Sequence, residues 1–485
     1  MALRTGTGAA PGTVREAERA RLAARALVGG EDTGAGAEPG FTRPEGWTEF
    51  DLEVRRGWSG HYPAPEDVPL EVRLCHPDGH VRASALLAPD APLHLVAVRA
   101  ADWAPPVRKR ARQVLARALE RDPAGTLGAL TPLVLRLGRR EQGGWAVELF
   151  EEALRGAGPA VLAALRAGAD LPARRYATRL TLAAGGLGVR DLARGAAAER
   201  DPATARLWTD AALAALAAGG PEDGAVDLLL GGHVPMVRAS GVTALRRAGR
   251  GAEAVDHLTD RSGLVRACAR WLARQDGTDA HAALRPLVAD PERVTPGAVT
   301  GFAECAGRAD APLFRALLEH RVGAVRAAAV AGLSRLEVSD FEALRPLLDD
   351  PSPAVAREVA RALASSVSRL DPDELTDRTT AGRPVHTRRA AFRLLRARSG
   401  PAAARAAAGM LEDPDPGLRK LAQETLHTWE PWLPQTDEEE AEPASPGPQQ
   451  QPSVRRFASF RLGPLLARLG ITDRNPPASP DTHGR

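Results

Sequence analysis

Residues 350–363 read DPSPAVAREVARAL, and residues 413–426 read DPDPGLRKLAQETL. Each stretch opens with an Asp-Pro step and continues with small or apolar residues at helical spacing. Proline fits the first turn of a helix but not its interior, so the Asp-Pro steps at 201–202, 290–291, 350–351 and 413–414 are each expected to stop one helix and start the next. The two stretches therefore predict short helices that begin after a turn and bury one face.

This pattern recurs along the chain with a regular period. The position that arginine holds in the motif falls at residues 238, 266, 297, 326, 356, 388 and 419, in steps of 28, 31, 29, 30, 32 and 31. Arg174 and Arg206 extend the series backwards, Arg82 and Arg108 lie in earlier copies, and one degenerate copy is expected near residues 127–154. About 30 residues hold two helices of three to four turns and two short turns.

The spacing of apolar residues within one copy indicates a helix with one buried face. In the copy that starts at Val325, the apolar or small residues are Val325, Ala328, Ala329, Leu333 and Leu336. One helical hairpin cannot bury such a stripe alone, whereas stacked neighbours can. The sequence therefore predicts an all-α fold, an α-solenoid or superhelix of about 11–12 helical-hairpin repeats of roughly 30 residues.

The two quoted stretches resemble HEAT repeats, particularly the short type found in bilin lyases. The resemblance covers roughly residues 65–432. It implies that the Asp and Arg of the motif form a ladder between neighbouring repeats, so that Asp260, Arg266, Asp413 and Arg419 would be structural. It implies little about function, because such repeats serve many roles. The residues that would handle a pigment in a bilin lyase cannot be located here.

The composition restricts the class of protein. Hydrophobic residues make up 44% of the 485 residues, aromatic residues only 4%, and the net charge is +3. The three cysteines are far apart, which predicts a reducing compartment and no disulfide framework. Met1 to Gly12 has no apolar segment, and no run approaches 18 apolar residues. We therefore expect a cytoplasmic protein with no secretory signal and no insertion into a membrane.

Shifts in composition predict the domain boundaries. Residues 1–40 are expected to form an N-terminal helix and a flexible linker, residues 41–65 an aromatic-rich cap with Trp47, Phe50, Trp58 and Tyr62, and residues 66–433 the repeats. Residues 434–456 are expected to be a disordered acidic linker rich in Pro and Gln. Residues 457–472 read as a short apolar amphipathic segment, in which Phe457–Ile471 is a candidate docking motif, and residues 473–485 as a disordered tail.

Motifs for known chemistry are missing from the sequence. Neither lysine follows a glycine, which excludes a P-loop, and no nucleophile elbow, zinc-protease motif or EF-hand occurs. Cys75, His76, Asp78 and His80 crowd one turn, which favours an exposed turn over a zinc site. Trp208 and Trp271 lack an Asp one helical turn away, as a helical-repeat DNA glycosylase would need. We therefore expect no catalytic residues, no metal and no cofactor.

Basic residues are enriched at the helix positions that are expected to face solvent. We number the Val of each copy, such as Val325, as position 0. Positions 2, 5 and 9 should then face solvent on the second helix of each hairpin. Nine of the 21 residues at these positions in the seven clearest copies are Lys or Arg, and none is acidic. These candidate binding residues are Lys109, Arg112, Arg246, Arg270, Arg274, Arg357, Arg389, Arg396 and Lys420.

The pattern favours a non-enzymatic scaffold or adaptor that binds a protein partner, through an acidic segment, in a basic concave groove. The alternative is sequence-independent binding of nucleic acid by the same arginines. A lyase-type or DNA-repair enzyme ranks below both. A further alternative is that these arginines only form a solvent-exposed helix face and bind no partner. The acidic run Asp437–Glu442 could compete for such a groove from within the chain.

Overall fold

A computed structural model describes residues 11–28, 40–57, 68–338 and 340–428. These residues form α-helices, short 3₁₀ helices and turns, and no described residue lies in a β-strand. The predicted all-α class is confirmed. Trp58, Tyr62, the acidic linker and the apolar segment 457–472 lie outside the described residues. The chain divides after Ala218 into two compact units.

The first unit consists of six helix pairs. Its helices are α1 Pro11–Val28, α2 Pro44–Gly57, α3 Leu70–Cys75, α4 Gly79–Ala85, α5 Leu93–Arg99, α6 Pro105–Arg121, α7 Pro123–Leu137, α8 Gly144–Gly156, α9 Pro159–Ala167, α10 Leu171–Ala184, α11 Val189–Ala198 and α12 Pro202–Gly219.

The second unit contains α13 Asp223–Leu230, α14 Pro235–Arg247, α15 Gly263–Gln275, α16 Ala280–Ala289, α17 Pro296–Ala303, α18 Ala311–Ala316, α19 Gly323–Arg335, α20 Phe341–Leu344, α21 Pro353–Leu363, α22 Pro372–Asp377, α23 Val385–Arg398, α24 Pro401–Gly409 and α25 Pro416–His427. Short 3₁₀ helices replace or extend several first helices of the pairs; they are Gly251–Thr259, Arg308–Asp310, Leu317–Glu319 and Arg345–Asp349. A further one, Ala364–Arg369, follows α21 directly.

Helices that are adjacent in sequence pack together in pairs within each unit. In the second unit, α13 packs against α14, α16 against α17, and α24 against α25. The second helices of successive pairs also pack against one another, as α14 does with α15 and α19 with α21. We call the later helix of each pair its second helix. Several second helices carry Val-Arg near their start, as α19 does at Val325 and Arg326. The second helices are α4, α6, α8, α10, α12, α14, α15, α17, α19, α21, α23 and α25.

The predicted core positions of the second helices are buried. Val325, Ala329, Leu333 and Leu336 are all buried, and Ala328 is half-buried. The motif Val is also buried in α6, α14, α15 and α21, at Val107, Val237, Val265 and Val355. The apolar spacing therefore identified the buried face of these helices, because one face of a helix recurs every three to four residues.

The prediction that position 5 faces solvent is wrong for four second helices. Val242, Val330, Ala360 and Phe392 occupy this position and are fully buried. Each such helix packs on more than its first helix: α19, for example, contacts α17, α18 and α21. A helix with neighbours on three sides buries more than one stripe. Position 2 is also buried in α14 and α19, at Ala239 and Ala327, so only position 9 stays exposed or half-buried in all seven copies.

The first two helices form a hairpin on the first repeats. Trp47 and Phe50 of α2 are buried, and α2 packs against α3, α5 and α7 as well as α1. The buried apolar residues described in α1 are Ala20 and Ala24, and Glu16 is also buried, whereas Leu22 is 61% exposed. The small alanines let α1 and α2 approach closely, and this contact decides which face of α1 is covered.

A ladder of arginine–carboxylate pairs links successive helix pairs. Arg238 forms two hydrogen bonds to Asp260 of the following pair, at 2.8 and 2.9 Å, and Arg326 forms two to Asp350, at 2.8 and 2.7 Å. Each of these arginines also donates to carbonyl oxygens in the turn before its own helix. The ladder pairs are Arg82–Asp102, Arg238–Asp260, Arg266–Glu304, Arg326–Asp350 and Arg388–Asp413.

The residues that the resemblance marked as structural take part in this ladder. Asp260 and Asp413 pair with the arginine of the preceding copy, and Arg266 and Arg419 donate to the main-chain oxygens of Asp260 and Asp413, both at 2.6 Å. The ladder aspartates also accept backbone N–H groups, as Asp260 does from Ser262 at 2.7 Å. Each ladder aspartate thus fixes the turn before one helix and holds the arginine of another.

The Asp-Pro steps start a helix less directly than the sequence suggested. Of the four steps at 201–202, 290–291, 350–351 and 413–414, only the first has its proline, Pro202, as the first residue of a helix. After Asp350 and Asp413, the helix begins at a second proline, Pro353 or Pro416. After Asp290 a turn intervenes and α17 begins at Pro296. The first Asp instead holds the turn by accepting an N–H two residues later, so the helix starts beyond it.

Replacing one ladder carboxylate should destabilise the second unit. In Asp350→Asn, the guanidinium of the largely buried Arg326 loses its ionised partner, and we expect the free energy of unfolding to fall by about 3 kcal/mol. Urea-induced unfolding of the full chain, followed by circular dichroism, measures this change. The matched control is Asp340→Asn, whose partner Arg315 is exposed and whose loss should cost less than about 1 kcal/mol. Equal losses would contradict a special role for the ladder.

The close approach of α18 and α19 depends on Gly332. A Cβ atom at Gly332 would lie 2.4 Å from ring atoms of the buried Phe314. Gly332→Ala should therefore lower the free energy of unfolding by about 2 kcal/mol through overpacking. Gly128→Ala in α7 meets no atom within 4 Å and should instead stabilise its unit by up to about 1 kcal/mol. Thermal unfolding of the two variants should shift in opposite directions.

Candidate functional site

The nine candidate binding residues are divided between the two units. Lys109 and Arg112 lie on α6 in the first unit, and the others lie on α14, α15, α21, α23 and α25 in the second. Arg112 and Arg270 are half-buried; the exposed residues are Lys109, Arg246, Arg274, Arg357, Arg389, Arg396 and Lys420.

Acidic groups outside the predicted stripe neutralise three of these arginines. Arg270 pairs with Glu304, Arg357 with Glu358 at 3.5 Å, and Arg389 with Asp415 at 2.8 Å. The absence of acids from positions 2, 5 and 9 therefore does not translate into an equal surplus of positive charge. The sequence pattern described single stripes, whereas Glu358 is the neighbour of Arg357 on α21, and the pairs of Arg270 and Arg389 reach other turns.

Arg112 serves the packing of the first unit. Its guanidinium donates to the carbonyl oxygens of Ala100 and Gln142, at 3.2 and 3.1 Å, and lies 4.9 Å from the ring centroid of Trp145. These contacts join the turn after α5 to the turn before α8. Arg112 is therefore a structural residue, and its donors are directed at the chain itself.

Three of the predicted residues come together at one cleft in the second unit. Arg270 and Arg274 of α15 line a cleft of about 560 Å³, and Arg246 of α14 lies over the ring of Trp271 at 5.4 Å from its centroid. We call this the Trp271 cleft; it is lined by Ala267, Arg270, Trp271, Arg274, Gly277, Thr278, Asp279, Ala280, Glu304 and Cys305.

Local backbone geometry shapes one edge of the Trp271 cleft. Gly277 has a φ of +79°, a left-handed conformation that glycine adopts without a steric penalty. The turn lets the N–H of Thr278 return to the carbonyl oxygen of Ala273 at 2.8 Å and close the end of α15. Asp279 then begins α16 by accepting the N–H of His281. The chain therefore reverses beside Trp271 and leaves an open space between the two helices.

Glu304 sets the electrostatics of this cleft. Its carboxylate accepts two hydrogen bonds from Arg266, at 3.0 and 2.6 Å, and also pairs with Arg270. Burial acts to raise the pKa of Glu304, but the hydrogen bonds from Arg266 and the charges of both arginines outweigh burial and hold the pKa below its usual value. Glu304 is therefore ionised at neutral pH. It pairs both with Arg266 of the ladder and with Arg270 of the cleft.

Arg246 and Arg274 supply the cationic groups that remain available. Both are exposed, and within the described part of the chain neither forms an ion pair. Trp271 between them offers a flat apolar surface that also attracts cations to its face. The cleft can therefore bind a carboxylate or another anion at the arginines while an apolar group packs on the indole ring.

Sequence reasoning missed the residues that turn these arginines into a site. Trp271, Glu304 and Cys305 were not among the candidate binding residues. Trp271 stands directly after Arg270, so an aromatic residue beside the basic stripe was the available signal. Glu304 and Cys305 follow α17, some 30 residues later, and no spacing rule connects them to α15. The thiol of Cys305 is half-buried, and burial raises its pKa.

The turn at residues 75–80 differs from the exposed turn that was predicted. Cys75 and His76 are buried, and only Asp78 and His80 are exposed. Nδ1 of His76 accepts the N–H of Asp78 at 2.9 Å, and Asp78 accepts the N–H of His80 at 2.8 Å to begin α4. Among the described residues, no group of three or more His, Cys, Asp or Glu side chains is arranged to hold a metal ion.

No protein-family model matches this chain, and no curated protein matches its sequence. In the described segments, no helix combines the length and apolar character that crossing a bilayer requires.

Removing the Glu304 carboxylate should have a pH-dependent effect on stability. At pH 7, Glu304→Gln leaves the buried Arg266 without its ionised partner, and we expect the free energy of unfolding to fall by about 3 kcal/mol. Because the pKa of Glu304 is lower in the folded state than the unfolded value of about 4.3, its contribution is present above that value and is lost as the pH falls through the folded pKa.

The difference between wild type and Glu304→Gln should therefore shrink below about pH 4, measured by urea unfolding across a pH series. Glu292→Gln is the matched control, because Glu292 and its partner Arg321 are both strongly exposed. This control should change stability by less than about 0.5 kcal/mol at any pH. A pH-independent loss for Glu304→Gln would show that the carboxylate charge is not what stabilises the cleft.

Proposed function

We propose that this protein is a non-enzymatic scaffold of the HEAT-like α-solenoid type, which binds an acidic segment of a partner protein on its second helices. The observation that best supports this proposal is that Arg270 and Arg274 line the cleft with Trp271, while Arg246 lies over the ring of Trp271. The stacked helix pairs and the arginine–carboxylate ladder support the HEAT-like assignment, together with the period of about 30 residues.

The chemistry of the Trp271 cleft fits a short peptide. Arg246 and Arg274 provide planar guanidinium groups that can each donate two parallel hydrogen bonds to one carboxylate. A hydrogen bond to a charged group contributes about 1.5–3 kcal/mol to binding. Trp271 supplies the apolar contact that such a peptide needs between its acidic residues, since aromatic and arginine side chains dominate the energy of most binding surfaces.

The distribution of free cations favours a peptide over nucleic acid. Binding to a phosphate backbone draws on several adjacent cations, because affinity arises from the counterions that they release. Arg396 of α23 and Lys420 of α25 form no ion pair among the described residues, but Arg357 and Arg389, which pair with Glu358 and Asp415, come before them in the order of the second helices that follow the Trp271 cleft. Discrete carboxylates need only one or two arginines each, which Arg246 and Arg274 provide.

Reversing the charge of the cleft should abolish this binding. The probe is a fluorescently labelled synthetic peptide of alternating Glu and Leu residues, with fluorescence anisotropy as the measurement. In the full chain with Arg246→Glu and Arg274→Glu together, we expect the affinity to fall more than about tenfold, because each carboxylate of the peptide then meets a like charge. Trp271→Ala should also weaken binding, through loss of the apolar contact.

Arg247→Glu is the matched control, because Arg247 is the exposed neighbour of Arg246 at the end of α14 but, unlike Arg246, does not lie over the ring of Trp271. This variant should bind the peptide within about twofold of wild type. If the double reversal binds as wild type does, the cleft is not the site. Duplex DNA that binds more tightly than the peptide, with an affinity that falls steeply with salt, would favour the nucleic-acid alternative.

A further inference from the structure

A second concentration of arginines lies in the first unit, where α2 meets the first repeats. Residues from α2, α4, α5 and the turns after α5 and α7 contribute to it. We call it the arginine cluster; its charged members are Asp51, Arg55, Arg82, Arg99, Asp102 and Arg140.

Arg82 and Arg99 donate most of the hydrogen bonds that the two aspartates accept. Arg82 donates to both carboxylate oxygens of Asp102, at 3.0 and 2.8 Å, and Arg99 donates to Asp102 at 2.9 Å and to Asp51. Asp102 also accepts the N–H of Ala104 at 2.9 Å. Arg82, Arg99 and both aspartates are buried. This part of the cluster is the first step of the ladder and has a structural role.

The other two arginines are poorly matched. Arg55 donates to Asp51 at 3.1 Å and approaches Asp102 only to 3.6 Å. The guanidinium of Arg140 comes no closer than 4.0 Å to Asp51 and donates no hydrogen bond to another described residue. The buried Nε of Arg99 is also without a hydrogen-bond partner. The cluster therefore holds more donors than its acceptors can satisfy.

The cluster carries a surplus of two positive charges, from four arginines and two aspartates. Burial, followed by repulsion from Arg99, lowers the pKa of Arg55. Burial also lowers the pKa of Arg140, and its attraction to Asp51 does not offset burial and the repulsion from Arg99 and Arg55. The adjacent Cys75 does not supply a negative charge, since burial raises the pKa of its thiol well above the usual value.

The surplus is open to solvent on one side. The side chains of Arg55 and Arg140 are 28% and 35% exposed, whereas those of Arg82 and Arg99 are almost completely buried. A ligand can therefore reach the two poorly matched guanidinium groups while Arg99 supports them from beneath. The depth of the fixed charges makes the site more strongly attractive to anions than arginines on an open surface.

We propose that the arginine cluster is a binding site for a doubly charged phosphate group, held between Arg55 and Arg140. A phosphate dianion matches the surplus of two charges, and its oxygens can accept the parallel hydrogen bonds of two guanidinium groups. A single carboxylate would neutralise only half of the surplus. The site lies in the first unit and does not depend on the Trp271 cleft.

Titration of the full chain with inorganic phosphate tests this site. Isothermal titration calorimetry in chloride buffer of constant ionic strength should show saturable binding of one phosphate. Arg140→Gln should weaken it by about tenfold or more, because it removes the charged hydrogen bonds of one guanidinium group. Arg140→Lys keeps the charge but not the planar pair of donors, so its affinity should fall between the two.

Arg139→Gln is the matched control, since Arg139 is the exposed neighbour of Arg140 in the same turn. It should bind phosphate as wild type does. Without phosphate, Arg140→Gln should melt at a temperature no lower than wild type, because it removes a charge that the cluster does not match. This readout distinguishes a ligand site from a structural arginine, whose loss would lower the melting temperature.

A phosphomonoester arm identifies the source of the phosphate group. Tighter binding of glycerol 3-phosphate than of inorganic phosphate would assign the site to phosphorylated small molecules, and the reverse order to free phosphate. The proposal is overturned if no saturable binding occurs, if Arg140→Gln binds phosphate as wild type does, or if succinate binds as well as phosphate. Those outcomes would mean that solvent or the chain's own carboxylates balance the surplus.

Discussion

The structure depends on buried arginine–carboxylate pairs that join several of the helix pairs to the pair that follows. An arginine in such a position is costly to remove from water, and only complete hydrogen bonding to an ionised partner offsets that cost. Arg326 meets this condition by donating to Asp350 and to two main-chain oxygens of its own turn. Because a guanidinium group fits a carboxylate in one planar arrangement, each pair fixes how one turn is placed against the next.

The same chemistry explains why charge on the second helices is scarcer than their arginine content suggests. Glu304 holds Arg266 of the ladder and also Arg270 of the outer surface. Asp415 begins α25 and pairs with Arg389. Acids that stabilise turns therefore neutralise arginines nearby. We therefore expect ligands to bind where arginines have too few acidic partners. Arg246 and Arg274 are such arginines in the second unit, and Arg55 and Arg140 are in the first.

These two places differ in the way their charge is held. At the Trp271 cleft, the available arginines are exposed, and an aromatic ring lies between them. This arrangement suits a flexible peptide with both acidic and apolar side chains. At the arginine cluster, Arg99 lies beneath two partly exposed arginines and is itself buried. A compact anion can neutralise such a group of charges, whereas a peptide side chain brings only one charge.

The sequence by itself determined the helical class, the period of the helix pairs and the buried face of α19. Each of these depends on residues within one copy or on the repetition of one copy, so spacing along the chain is enough to reveal them. Only the tertiary structure decided that Val242 and Phe392 are buried, that Glu304 neutralises Arg270, and that Arg140 lies 4.0 Å from Asp51. Those contacts join residues 30 or more positions apart or depend on helices packed from several sides, and the periodicity of a single helix carries no information about what its neighbours contribute.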